Sequence, residues 1–183
     1  MGLDMYLRCN DRLLCKDVAE ELNDSHHWHS GTVVYWRKAN AIHKWFVDNV
    51  QHGTDDCGVY DVDIRQLKDL RDMCEAVLSS TRLVEGDAVN GQTVKDGKWS
   101  DNIERGRLLE DTSVAERLLP TADGFFFGST AYDQWYWEDL EYTMRALGAI
   151  LSRIRTVKGD FGFAHEVYGD DDWYIYFTYK SSW

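Results

Sequence analysis

The residues best suited to bind an anion are concentrated in the segment 36–46. Arg37, Asn40 and Lys44 recur at spacings of three and four, near one side of a predicted helix, and His43 lies between that side and the apolar face. Arginine can hold a phosphate with two hydrogen bonds, and asparagine can bind an amide or a base edge. Cations near a helix start oppose the helix dipole, which a bound anion would offset. A solvated helix face is the alternative. The predicted ligand contacts in this segment are Trp36, Arg37, Lys38, Asn40 and His43.

A second candidate anion site is the turn 128–130, between a predicted strand and a predicted helix. Glycine lets the backbone approach a ligand closely, and the free N–H groups of a helix start bind anions. Ser129 or Thr130 is expected to cap the helix, with Asp133 in the usual glutamate position of a capping box. A capped helix without a ligand is the alternative, because Asp133 and Glu138 would repel a phosphate and no P-loop motif is present. The predicted contacts are Gly128, Ser129 and Thr130.

Aromatic residues form a third candidate, with 7 Phe, 10 Tyr and 8 Trp among 183 residues. Many lie in the last third of the chain, on both faces of predicted elements, so some should line a surface or cleft. Aromatic rings stack on bases and sugars or anchor protein interfaces. An aromatic-rich core is the alternative. The residues predicted to offer a stacking plane are Tyr132, Trp135 and Tyr136.

Other constellations carry weaker signals. The run His26-His27-Trp28-His29 could bind a transition metal, but its spacing fits no zinc motif, so no metal site is predicted. No nucleophile elbow or zinc-protease motif is present, and nothing indicates a cofactor. In an enzyme, Cys57, Cys74 or Ser129 could act as nucleophile, with His43 or His165 as the base. A carboxylate pair such as Asp133 with Asp139 or Glu141 could also serve acid–base chemistry.

The chain is strongly acidic, with 20 Lys and Arg against 32 Asp and Glu and a net charge of −12. Without a basic stripe an acidic protein repels nucleic-acid backbones, so direct nucleic-acid binding is not expected. The acidic surface could instead imitate a nucleic acid and occupy a basic groove on another protein. No apolar stretch is long enough to cross a membrane, and the start of the chain lacks the pattern of a signal peptide. We therefore expect a cytoplasmic protein whose four cysteines are free thiols.

Hydrophobic periodicity predicts the elements that position these residues. Leu3, Met5 and Leu7 alternate with polar residues, which predicts a strand with one buried face. Periods of three and four predict three main helices. These helices begin at Trp36, at Asp63 and at Ser129 or Thr130. The other predicted elements in this part of the chain are a helix at 17–22, strands at 32–35 and 124–128, and a helix at 113–119.

Two further features complete the predicted fold. The polar stretch 79–112 contains the turn signals Asn90-Gly91 and Asp96-Gly97, and is interpreted as a turn-rich excursion with room for one small hairpin. Near the C-terminus, strands 161–168 and 173–180 flank an acidic turn. The element order predicts an α+β fold: a single domain over 1–183, a mostly antiparallel sheet, three main helices packed on one face and a C-terminal β-hairpin.

Several blocks of the sequence resemble a family of small proteins encoded by phages and prophages. These blocks are Met1-Gly2-Leu3-Asp4-Met5-Tyr6-Leu7, the segments 35–40 and 42–46, Leu119-Pro120 with Gly124-Phe125-Phe126-Phe127-Gly128-Ser129-Thr130, and Ser181-Ser182-Trp183. The resemblance skips the stretch 79–117, and its motifs are specific to the family but not diagnostic of a reaction. It implies a phage accessory protein in the cytoplasm of an infected bacterium, where such genes often encode counter-defence factors.

Three functions are compatible with these residues. The first is a phage accessory protein that binds and sequesters a phosphate-bearing, nucleotide-like small molecule. The second is an acidic inhibitor that docks on a host defence protein or nucleic-acid enzyme. The third is a nucleotide-processing enzyme that uses His43. The first function requires that segments 36–46 and 124–136 share one pocket, and their separation along the chain leaves this open. The sequence also leaves open whether the protein is a homo-oligomer.

Overall fold

The computed structural model describes residues 2–24, 30–124, 127–158, 164–169 and 174–183. The predicted α+β fold is confirmed, and the paired strands are antiparallel. The strands are β1 (Asp4–Cys9), β2 (Thr32–Arg37), β3 (Val59–Val62), β4 (Leu83–Lys95), β5 (Lys98–Leu109), β6 (Ile154–Lys158), β7 (Ala164–Tyr168) and β8 (Phe177–Ser182). The helices are α1 (Arg12–Leu22), α2 (Asn40–Asn49), α3 (Ile64–Ser80), α4 (Ser113–Leu118) and α5 (Gln134–Leu151). The histidine run 26–29 lies outside the described residues.

The main sheet has the strand order β2-β1-β8-β3. The predicted alternation in β1 is confirmed, because Met5 and Leu7 are buried while Arg8 is exposed. In β8, Phe177 and Tyr179 are buried in the same alternating way. These inner side chains share one hydrophobic core with the apolar faces of the helices. The helices thus pack against the inner face of this sheet.

The second main helix, α3, begins where predicted. Its N-cap is Asp63, whose carboxylate accepts a hydrogen bond from the N–H of Arg65 at 2.7 Å. The side chain of Gln66 accepts in return from the N–H of Asp63 at 2.8 Å, which completes a capping box. The buried face of α3 packs against α5. None of the described helices combines the length and the apolar content needed to cross a bilayer.

The first main helix begins later than predicted. Trp36 and Arg37 belong to β2 and pair with β1. The indole N–H of Trp36 donates to the hydroxyl of Thr143 in α5 at 2.8 Å, which ties the sheet to that helix. Lys38 has φ 61°, a left-handed conformation that ends the strand, and α2 begins at Asn40. Sheet pairing therefore overrides the helical period in its first two residues.

The third main helix, α5, also begins later. Its N-cap is Asp133, whose carboxylate accepts from the N–H of Trp135 at 3.0 Å, so the predicted cap at Ser129 or Thr130 is wrong. A carboxylate at this position also suits the positive end of the helix dipole. Within the predicted strand 124–128 the described residues form a loop, and 125–126 lie outside the described part.

The stretch 79–112 differs most from the prediction. β4 and β5 form a long hairpin that starts with Leu83 opposite Leu109. The chain reverses at Asp96-Gly97, one of the two predicted turns, where both residues have positive φ. At the other signal, Asn90-Gly91, the register shifts, so it marks an irregularity within the hairpin and not its turn. A hairpin of this length was not predicted, because the largely exposed faces of its strands carry no clear apolar alternation.

The C-terminal β-hairpin consists of β6 and β7, with Ile154 opposite Tyr168. β7 lies within the predicted first strand, but its partner precedes it along the chain. β8, at the end of the predicted second strand, instead enters the main sheet between β1 and β3. An inner position gives β8 backbone partners on both sides, which suits a strand with buried Phe177 and Tyr179. Most of the acidic turn, 170–172, lies outside the described residues.

Candidate functional site

The two predicted binding segments border one cleft, with a volume of about 1070 Å³. The connection between β2 and α2 supplies one side, the loop before α5 supplies another, and the first turns of α5 supply a third. The predicted residues that line it are Arg37, Lys38, Asn40, Gly128, Ser129, Thr130, Trp135 and Tyr136. The fold therefore brings together two segments that are far apart in the sequence.

Asn40 holds the two segments together. Its side chain is only 5% exposed, and its amide nitrogen donates to the carbonyls of Phe127 at 3.1 Å and Ser129 at 2.7 Å. Its amide oxygen accepts from the N–H of Ala122 at 3.1 Å. These bonds engage both ends of the amide, so Asn40 positions the loop, and its predicted role as a reader of a base edge does not fit this geometry.

Lys38 and Gly128 pack closely where the two segments meet. The N–H of Lys38 donates to the carbonyl of Leu3 at 2.8 Å, which fixes its left-handed backbone against the start of β1. Gly128 has φ +90°, and a β-carbon there would lie 3.4 Å from that of Lys38. Glycine thus permits the loop to approach the lysine. Because α5 begins at Gln134, the amides of 128–130 belong to this loop and not to a helix start.

The positive charge of the cleft comes from Arg37 and Lys38. Both side chains are exposed and line the cleft, and neither forms an ion pair with another described residue. An unpaired guanidinium beside an ammonium group is well suited to hold a phosphate or carboxylate. Both residues therefore line the cleft, and their role as ligand contacts stays a prediction.

Three predicted contacts, Trp36, His43 and Tyr132, do not line the cleft. Trp36 is a buried core residue. His43 is 1% exposed; its Nδ1 lies 2.7 Å from the hydroxyl of Tyr179, and its Nε2 lies 3.0 Å from a carboxylate oxygen of Asp55. Tyr132 packs edge-to-face on Tyr136, with ring centroids 4.9 Å apart. Trp36 and His43 are therefore buried, whereas Tyr132 is half-buried and its hydroxyl accepts a hydrogen bond from the N–H of the lining residue Thr121 at 3.4 Å.

Carboxylates occupy other parts of the same cleft. Asp133 is buried, and its Oδ1 accepts from the N–H groups of Trp135 and Tyr136 at 3.0 and 3.1 Å. Burial raises the pKa of Asp133. Burial, with the charges of Asp133 and Glu138, raises the pKa of Asp139 to about 7. The acidic lining residues are Asp101, Asp123, Asp133, Glu138 and Asp139. The cleft therefore combines a cationic part with an acidic part.

Sequence reasoning missed the contribution of the β4–β5 hairpin. Val89, Gly91, Trp99 and Asp101 line the same cleft, and Trp99 is 72% exposed. The only signal for this role was a large aromatic residue within an otherwise polar stretch, which the interpretation as a loop concealed.

The arrangement is suited to binding. Anionic groups match the cations, and planar rings match Trp135, which is 43% exposed on the first turn of α5. In the described part of the chain, no three His, Cys, Asp or Glu side chains are grouped so that they could hold a metal ion. All four cysteines are free, and Cys57 is the one that is not buried.

We expect replacement of Asn40 by alanine to lower the free energy of unfolding by about 2–4 kcal/mol, because it leaves two carbonyls and one N–H of the loop without their partner. Urea denaturation measures this loss. Asn49→Ala is the matched control on the same helix, since the side chain of the exposed residue Asn49 makes a single part-buried hydrogen bond, to the carbonyl of Trp45. Equal losses in the two variants would contradict the assigned role of Asn40.

We also expect Asp139 to make the protein less stable as the pH rises from about 4 to 7. Its raised pKa means that the folded state keeps a proton that the unfolded state releases in this range. Asp139→Asn should remove that slope and stabilise the protein above pH 7 by about 1–3 kcal/mol, since one pKa unit corresponds to about 1.4 kcal/mol and solvent screens part of it. Urea denaturation at several pH values tests this, with exposed Glu141→Gln as control. An unchanged slope in Asp139→Asn would contradict it.

No model of a known protein family matches the chain, and neither does a curated protein or a solved structure.

Proposed function

We propose that the protein binds and sequesters a phosphate-bearing, nucleotide-like small molecule in this cleft, as a phage accessory protein with a counter-defence role in the bacterial cytoplasm. The observation that carries the proposal is that Arg37 and Lys38, both exposed and without an ion-pair partner among the described residues, share a cleft with the exposed ring of Trp135. An anion and a planar ring on one molecule would satisfy both features.

Among the described residues, Arg37 and Lys38 are the two basic side chains that line the cleft, and neither has a carboxylate within ion-pair distance. Other exposed cations, such as Arg12 and Lys68, also lack such a partner among the described residues. Seven described Lys or Arg side chains do form ion pairs. These pairs are Lys16–Glu20, Lys44–Asp48, Arg65–Asp63, Arg71–Asp72, Arg82–Glu110, Arg105–Glu85 and Arg153–Glu21. Arg37 and Lys38 remain available for an external anion, although five carboxylates line the same cleft. A phosphate would therefore bind at these cations and away from the acidic part.

The geometry favours capture over turnover. His43, the acid–base group of the enzyme hypothesis, is buried and already engaged by Tyr179 and Asp55. Asp139 lines the cleft with a pKa raised to about 7, but the described lining residues place no nucleophile beside a base. Sequestration requires affinity alone, which the cations and the exposed ring can supply.

We expect the double variant Arg37→Ala, Lys38→Ala to bind nucleotides at least about tenfold more weakly than the parent, because charge-assisted hydrogen bonds are worth about 1.5–3 kcal/mol each. Isothermal titration with AMP and ATP measures the difference. The control is Lys16→Ala, Arg65→Ala, which removes the same charges from exposed helix positions outside the cleft. Equal affinities in the two double variants, or a parent protein that binds neither nucleotide, would contradict the proposal.

One observation favours a second candidate, an acidic inhibitor of a host defence protein or nucleic-acid enzyme. The β4–β5 hairpin exposes Val94, Trp99 and Ile103, and carboxylates such as Asp87 and Glu104 lie on the same two strands. Exposed apolar side chains among acidic ones suit a partner with a basic groove.

This candidate predicts a complex that weakens strongly as salt is raised and that is lost in Ile103→Lys, because charge attraction is screened and the apolar anchor is replaced by a cation. Surface plasmon resonance with a purified partner would measure both effects. Arg37→Ala should leave such a complex unchanged. A complex insensitive to salt and to Ile103→Lys would contradict the inhibitor function.

A further inference from the structure

The side chain of Trp99 is a large apolar group that the β4–β5 hairpin leaves exposed. It lies near the tip, opposite Val94, and is 72% exposed. Burying a large apolar side chain stabilises a folded protein, and an indole left in solvent forgoes that stabilisation. Trp99 also lines the cleft that contains Arg37 and Lys38. Trp99 therefore belongs to the candidate site and not to the hydrophobic core.

A second indole lines the cleft from another element. Trp135 lies on the first turn of α5, and its backbone N–H donates to the carboxylate of the N-cap residue Asp133 at 3.0 Å. The two tryptophans thus come from different elements, one from the β4–β5 hairpin and one from the start of α5, and a bridge between Leu108 and Asp133 joins these elements. Aromatic side chains on one binding surface are the usual means of holding a flat ring, because they stack on either of its faces.

We propose that the β4–β5 hairpin forms a wall of the binding site, and that Trp99 and Trp135 together hold the base of a nucleotide whose phosphate lies at Arg37 and Lys38. This inference rests on the proposed function and assigns the chemical class of the ligand. It adds Trp99 and Asp101 to the binding site.

The carboxylates of the cleft favour bases that can donate hydrogen bonds to them. Asp101 on the hairpin, Asp123 on the loop and Glu138 on α5 line the cleft, and carboxylates accept hydrogen bonds. They disfavour phosphate, so the part of the ligand beside them has to donate. A base with an exocyclic amino group, such as adenine, guanine or cytosine, offers these donors. Uracil has a single ring N–H and carbonyls that carboxylates repel.

The test is isothermal titration of the full chain with ATP, UTP and ribose 5-phosphate. Trp99→Ala should weaken ATP binding about tenfold, since stacking on an aromatic side chain is worth about 1–3 kcal/mol per base, and Trp99→Phe should retain most of the affinity. Ribose 5-phosphate, which has no base, should bind more weakly than ATP and equally well to the parent and to Trp99→Ala. UTP should bind more weakly than ATP.

Val94→Ala is the matched control, because it disrupts the cross-strand pair with Trp99 but keeps the indole. It should bind ATP like the parent. If Trp99→Ala binds ATP like the parent, or if ribose 5-phosphate binds as tightly as ATP, the inference is overturned while the phosphate site of the proposed function stands. If the parent binds none of the three compounds, the proposed function is overturned with it.

Discussion

The cleft depends on one buried amide. Asn40, the first residue of α2, links this helix to the loop before α5 through hydrogen bonds to Ala122, Phe127 and Ser129. Without it, the loop would have unpaired backbone groups at its closest approach to the sheet. The left-handed backbone of Lys38 and the positive φ of Gly128 allow the two segments to approach, and Asn40 fixes them there. The loop is therefore held by hydrogen bonds from the Asn40 side chain to its backbone, which leaves the side chains of Arg37 and Lys38 for a ligand.

The buried carboxylates of the cleft lower the stability of the free protein when they ionise. Burial and neighbouring carboxylates raise the pKa of Asp139 to about 7, and the pKa of buried Asp133 is also raised. The two cations that line the cleft, Arg37 and Lys38, have no ion-pair partner among the described residues. Groups in such states are typical of functional surfaces, where a ligand supplies the missing interactions. The proposed nucleotide would offer an anion to the cations and donors to the carboxylates.

The sequence was informative where a strong local pattern and the fold agreed. The alternation in β1, the cap at Asp63 and the buried face of β8 follow from side-chain period and capping chemistry alone. The residue types around Arg37 and Gly128 also pointed to segments that do share a cleft. What the sequence could not supply was pairing between distant strands. That pairing places Trp36 and Arg37 in β2, and it turns a polar stretch into a long hairpin that carries Trp99. The role of Asn40 was likewise hidden, because its three partners are backbone groups with no sequence signature.

Native mass spectrometry of protein purified from bacteria would show whether the cleft captures a nucleotide-like molecule. We expect a discrete added mass that heat releases into a supernatant with the ultraviolet absorption of a nucleobase. The added mass should be absent from protein in which Arg37 and Lys38 are replaced by alanine. A clean mass of the chain alone, or a bound protein in place of a small molecule, would contradict capture of a nucleotide.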